Sequence, residues 1–234
     1  MRARLGVTAA IVAALALGLL VRAPAPLASK GDTAVGGPAQ SRLYSTSFPT
    51  RENPLSENSA WLNGKKDGID WNDVRTVKGF ALLTKPNISD YRDSTAIVKG
   101  AWGPNQYVRA MVHMPNPDTK YPMEFEIRVR TTLSANYCAG YEIIGGQQVV
   151  RWNGPLGNFT ILPDTGPYGT LKHGDLFEVH MVGNVITVYI NGVQVNQAVD
   201  NTYTTGNPGI GFFSRNPKPP RFGFSSFAAS DAPF

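Results

Sequence analysis

The side chains best suited to chemistry are carboxylates that alternate with apolar residues. Glu124-Phe125-Glu126 places two acids at i, i+2 and continues into Ile127-Arg128-Val129-Arg130. In an extended strand, side chains of one parity share a face. Glu124, Glu126, Arg128 and Arg130 are therefore expected on one side, with Phe125, Ile127 and Val129 on the other. Such a face reads as a solvated surface with mutual charge pairing, or as the lining of a groove on a curved sandwich. A second acid, Glu142 in Tyr141-Glu142-Ile143-Ile144, points away from the core if Tyr141 and Ile143 point in. Arg109 stands in the same relation to Val108, Ala110 and Val112. Paired carboxylates suit glycoside hydrolysis, and an Arg and a Glu beside tryptophan suit a saccharide clamp.

Aromatic residues add to this. Trp61, Trp71, Trp102 and Trp152 all lie near turn residues, the last in Arg151-Trp152-Asn153-Gly154. Tryptophan is usually well buried, and Trp61 and Trp71 are expected to pack internally. Trp102 and Trp152, with Asn153 and Arg128, are candidates for the rim of a ligand groove beside Arg109 and Glu142. Were the protein an enzyme, Glu142, Glu126 and His180 would be the catalytic candidates. No complete motif supports catalysis: there is no Gly-x-Ser-x-Gly elbow, P-loop or His-Glu-x-x-His. The three histidines, His113, His173 and His180, are widely spaced. Asp200 and Asp231 are weak candidates for a structural calcium, which needs 6–8 oxygen ligands, and no other cofactor is implied. Asn87-Ile88-Ser89 and Asn158-Phe159-Thr160 match the glycosylation acceptor pattern.

The elements that must position these residues are strands. Short alternating runs recur, cut by Gly, Pro and Asn, and no helical period with caps is evident. Candidate strands cover 43–48, 59–63, 77–84, 94–99, 106–113, 123–132, 138–145, 147–152, 158–162, 175–182, 185–190, 193–198, 209–214 and 221–228. The stretch 173–197 is the most explicit. Gly183-Asn184 and Asn191-Gly192 are two-residue hairpin turns. They pair Val182 with Val185 and Ile190 with Val193, and continue to Val179–Val188 and Thr187–Asn196. One face then carries Phe177, Val179, Met181, Ile186, Val188, Ile190, Val193 and Val195. The other carries Glu178, His180, Thr187, Tyr189, Gln194 and Asn196.

Arg2 and Arg4 precede an apolar run from Leu5 to Val21, the layout of a secretory signal. Residues 1–28 are read as a signal peptide or N-terminal anchor, 29–42 as a Gly/Ala/Ser/Pro-rich linker, and 43–234 as one β domain. The expected location is secreted, periplasmic or at the cell surface. The net charge is +5, but Arg2, Arg4 and Arg22 lie in the leader, which holds no acid, so the remainder carries +2. No Lys/Arg block marks a nucleic-acid stripe. Beyond the anchor, no membrane contact is expected. The single cysteine, Cys138, excludes an intramolecular disulfide.

The segment Gly174–Phe213, with its Gly-Asp start, its Asn-Gly turn, Asp200 and Gly206-x-Pro208-Gly209-Ile210-Gly211, resembles the C-terminal half of concanavalin A-like jelly-roll domains. Phe125–Ile144 is similar to the strand pair that precedes it in those domains. Laminin-G-like modules and 3-keto-disaccharide hydrolase (DUF1080) domains belong to this group. The resemblance covers roughly residues 43–228. It implies an all-β, two-sheet antiparallel sandwich whose concave face binds saccharide. It leaves activity open, because the superfold hosts lectins, hydrolases, lyases and adhesive modules. The laminarinase-like hydrolases carry Glu-x-Asp-x-(x)-Glu, and the third acid is absent after Glu124-x-Glu126. The Gln-x-His element of alginate-lyase-like members is absent too. The expectation is a carbohydrate-binding module, with a polysaccharide hydrolase or lyase and a structural or adhesive protein as the alternatives.

Overall fold

The computed structural model describes residues 41–234, apart from 68–69, 87–90, 118–119, 167, 217 and 219–220. The expected leader, residues 29–40 of the linker and the Asn87 acceptor site lie outside the described residues. Among the described residues fifteen strands run in order: β1 Leu43–Thr46, β2 Trp61–Asn63, β3 Val74–Val77, β4 Phe80–Leu83, β5 Ser94–Val98, β6 Gln106–His113, β7 Met123–Ser134, β8 Tyr137–Ile144, β9 Gln148–Pro155, β10 Phe159–Ile161, β11 Leu176–Val182, β12 Val185–Ile190, β13 Val193–Val199, β14 Asn207–Ser214 and β15 Gly223–Ser230. They form two antiparallel sheets. The first has the order β13-β12-β11-β6-β15-β4-β3, with β1 also on β15; the second runs β10-β9-β8-β7-β14-β5-β2. This is a two-sheet jelly-roll sandwich. The run expected as one strand over 77–84 is instead the end of β3, a turn, and β4. Gly79, at φ +98°, reverses the chain there, a backbone conformation that costs a glycine little.

The main core lies between the sheets. Val108, Ala110 and Val112 of β6 and Phe177, Val179 and Met181 of β11 meet Ile127, Val129, Tyr141, Ile143, Ile210 and Phe212 of the second sheet. A smaller cluster, with Trp71, Ile97, Cys138, Ile144, Val150 and Trp152, covers the outer face of the second sheet. Its strand residues are the alternates of core residues such as Ala96, Ile143 and Val149. The second sheet is therefore buried on both faces over part of its area.

The first turn of the meander has the expected register, from Val182–Val185 to Val179–Val188. The second keeps Ile190–Val193 and Tyr189–Gln194, but then Val188 pairs with Asn196. Val195 is the extra residue of a β-bulge, and beyond it the side-chain parity inverts. Val193, expected inside, is exposed, while Asn196, expected outside, is buried. The Asn196 side-chain oxygen accepts from the backbone N–H groups of Thr165 and Gly166, each at 3.2 Å.

Candidate functional site

The charged face of β7 is not solvated. Glu126 and Arg128 are fully buried and Glu142 nearly so, which corrects the expectation of a surface of mutually paired charges. Register explains how they meet: Arg128 pairs with Glu142 across β7–β8, and Glu126 with Gly211 across β7–β14. Gly211 leaves room for the acid, since a Cβ there would sit 2.1 Å from a Glu126 carboxylate oxygen. From above, Trp71 arrives on the connection before β3 and sets its ring 5.3 Å from the Arg128 guanidinium carbon. The Trp152 ring lies 5.8 Å from the same carbon and meets Trp71 edge-on at 5.1 Å.

Arg128 bridges the two acids. Its Nη2 lies 2.6 Å from Glu126 Oε2 and its Nη1 2.8 Å from Glu142 Oε2. Glu142 Oε2 also accepts from the Trp152 indole N–H. Burial disfavours the Arg128 cation, but Glu142 and Glu126 outweigh it and raise its pKa. For Glu126, burial and then the charge of Glu142 raise the pKa well above the usual range, against the pull of Arg128. One cation serves two buried carboxyl groups. Burial, followed by Glu142 and Asp93, pushes Glu124 up to about 8, with Arg128 and Arg215 opposing. Cys138, beneath Arg128, is pushed up to about 12 by burial.

Beside this cluster the face opens into a cavity of about 370 Å³. Tyr91, Trp152, Phe159 and Phe213 line it together with Glu124, Glu142 and Arg215. Tyr91, Trp152 and Phe159 contact one another, with ring centroids 5.5–6.4 Å apart. Glu124 makes no hydrogen bond or ion pair among the described residues, so it is the acid free to meet a ligand. Carboxylate oxygens of Glu124, Glu126 and Glu142 lie within 4.8 Å of one another, as metal ligands would. The donor set does not fit a cation, because Arg128 already bridges Glu126 and Glu142 and would repel it.

Glu126, Arg128, Glu142 and Trp152 are thus brought together, and the other sequence candidates are not. Arg109 and His180 lie on β6 and β11 of the first sheet, so neither can act with Glu142. The Arg109 guanidinium rests 4.0 Å over the Phe234 ring. His180 lies against Tyr107 and Tyr189, and partial burial lowers its pKa despite Glu178. Trp102 belongs to the main core, its indole N–H donating to the Val98 carbonyl at 3.1 Å. The Asn153 side chain is held by Arg151, Asn158 and Thr160. Arg130, expected beside Arg128, is diverted by a bulge at φ +47° and donates to the carbonyls of Pro104, Tyr203 and Gly183. Asp200 is occupied by Tyr141, Arg151 and Thr202, and Asp231 by the backbone N–H groups of Arg42 and Gly103. Neither enters a cluster of three His, Cys or carboxylate ligands among the described residues.

The sequence reading missed Tyr91, Phe159, Phe213 and Arg215 as cavity residues. Only Phe159, seven residues after Trp152 and across a hairpin from it, left a readable signal.

No protein-family model matches the chain, and neither does any curated protein. Solved structures do. β-Agarase A from Zobellia galactanivorans is 11% identical with a TM-score of 0.50, over 81% of this chain and 92% of that one. The carbohydrate-binding module CBM66 from Bacillus subtilis is 8% identical with a TM-score of 0.49, covering 76% and 95%. The β-porphyranase from the human gut bacterium Bacteroides plebeius is 11% identical with a TM-score of 0.48, covering 83% and 93%. At such identities the likeness concerns the fold alone, and the agarase carries it. The chain has the concanavalin A-like jelly-roll fold.

Proposed function

We propose that this protein binds carbohydrate in the cavity on the outer face of the second sheet. One observation carries the reading: aromatic walls formed by Tyr91, Trp152, Phe159 and Phe213 enclose the polar groups of Glu124, Glu142 and Arg215 in about 370 Å³. Sugar rings present apolar C–H faces to aromatic side chains and hydroxyls to carboxylates and guanidinium groups, and a cavity this size lies within the usual ligand-site range. The fold supports the reading as a scaffold on which an agarase is also built. Within the superfold we place the chain with laminin-G-like and 3-keto-disaccharide hydrolase-like domains, on the pattern Gly206-x-Pro208-Gly209 and Tyr141-Glu142. We also propose export directed by residues 1–28, a linker over 29–42 and a single binding domain over 43–234.

A second reading, glycoside hydrolysis, has one observation in its favour. The acids lie within 4.8 Å of one another, near the separation of about 5–5.5 Å used by retaining hydrolases, and Glu124 holds its proton near neutral pH. Against it, Arg128 and Trp152 bind Glu142, and Glu126 is sealed beneath the cavity. Asp93, the other carboxylate lining the cavity, is engaged as well, so among the described residues no second carboxylate is left free as nucleophile or base, and binding is preferred.

A glycan array run beside a polysaccharide depolymerisation screen tests both readings. Binding without product release is expected. Tyr91→Ala, at a half-exposed wall residue, should weaken binding at least about tenfold, as loss of a stacked aromatic does. Arg109→Ala should leave it unchanged. Loss on Arg109→Ala with retention on Tyr91→Ala would place the ligand on the first sheet and overturn the proposal.

A further inference from the structure

A second cavity points to a different ligand. Where the β6–β7, β8–β9 and β10–β11 connections meet, a cleft of about 610 Å³ opens into the end of the sandwich. Strand β7 separates the two sites, since Met123 and Phe125 line this cleft while Glu124 lines the carboxylate cavity. Met114, Tyr121, Met123, Phe125 and Leu171 form its apolar surface, and Phe125 and Leu171 are buried core residues. Its depth is therefore continuous with the hydrophobic core. Gly145 lets Leu171 pack close at the cleft, since a Cβ there would meet Leu171 Cδ1 at 2.2 Å. Two methionines make the lining adaptable and suited to aromatic contact.

The lining residues include no acid. Lys172 and His173 stand at the cleft, both exposed, and Lys120 lies over the Tyr121 ring at 5.4 Å. The Lys172 ammonium has no carboxylate partner among the described residues. His173 Nδ1 accepts the Met114 backbone N–H at 3.1 Å, which leaves Nε2 as the donor of the neutral ring. An apolar interior with a few polar donors at its mouth is the form of a small-molecule site. The volume far exceeds the roughly 150 Å³ of a cavity that holds one benzene ring.

We propose that this cleft binds a small amphiphilic anion, with an aromatic body against the methionines and a carboxylate or sulfonate at Lys172 and His173. The proposal is independent of carbohydrate binding. The probe is anilinonaphthalene sulfonate, titrated by fluorescence into the folded full chain, with neutral phenylnaphthylamine as its uncharged counterpart. Saturable one-site binding is expected, with the neutral compound competing. Gln147→Trp, at an exposed position on the cleft wall, should abolish it while near-ultraviolet circular dichroism and the melting temperature stay unchanged. Thr170→Trp serves as the same block should Gln147→Trp disturb the fold. Lys172→Ala should weaken the sulfonate about tenfold and leave the neutral compound's affinity unchanged. Absence of saturable binding, persistence through both blocking variants, or equal response of both probes to Lys172→Ala would each overturn the proposal.

Discussion

Two strands with the same written pattern have opposite fates. Glu124-Phe-Glu-Ile-Arg on β7 and Phe177-Glu-Val-His on β11 both alternate apolar with ionisable residues. In each, the apolar set enters the main core. The ionisable set of β11, Glu178 and His180, stays partly exposed, the two side chains only 3.9 Å apart. The set on β7 is sealed under Trp71 and Trp152, with Arg128 bridging two acids. Alternation determines which residues share a face, but it carries no information on what lies over that face. On β7 the cover comes from a connection more than fifty residues earlier in the chain. It converts a surface charge pattern into a buried ionic cluster, where desolvation rather than solvent screening governs the energetics.

The sharpest way to break this contrast is to remove the central cation of each face. Arg128→Met leaves Glu126 and Glu142 without their partner and should lower stability by about 3–5 kcal/mol in denaturant unfolding. A loss below about 1 kcal/mol would mean that the cluster is not closed to water. Arg109→Ala on the first sheet is the matched control and should change stability by no more than about 0.5 kcal/mol.

The pH dependence comes next. The Glu124 pKa is raised on folding, so between the unfolded carboxylate value and about 8 the native state binds more protons than the unfolded state. Linkage then makes stability fall as pH rises through that window and level off above it, a loss on the order of 2–4 kcal/mol to which Glu126 adds in the same sense. Glu124→Gln should flatten the slope. Stability that rises over this range would contradict the buried-carboxyl assignment.

A smaller effect tests the packing that admits the cluster. Gly211→Ala forces a Cβ against the Glu126 carboxylate and should cost about 1–3 kcal/mol, more than Gly174→Ala at an open turn with φ +86°. The smallest expected change is in reactivity. With its pKa pushed up to about 12, buried Cys138 should resist alkylation at pH 8 in the folded protein and react once denatured.

Much of the fold was legible because strand signals are local. Gly183-Asn184 and Asn191-Gly192 specify turns, and period-two alternation selects Phe177, Val179 and Met181 for the core. The bulge at Val195 was not legible, because it depends on the loop at Thr165–Gly166 claiming the Asn196 side chain from outside the hairpin. The site was half legible. Parity put Glu126, Arg128 and Glu142 on non-core faces, and their grouping follows from the pairing of β7 with β8. Parity likewise offered Arg109 and His180, and sequence alone had no means of assigning them to the other sheet.

The sequence by itself therefore determined most strands, the hairpin turns and the inward side of strands free of a bulge, since these follow from backbone geometry over a few residues. Only the tertiary structure decided which outward faces would be covered. Burial of Glu126 and Arg128 requires Trp71, Gly211 and Trp152 to arrive from three other parts of the chain, and no local rule encodes that convergence.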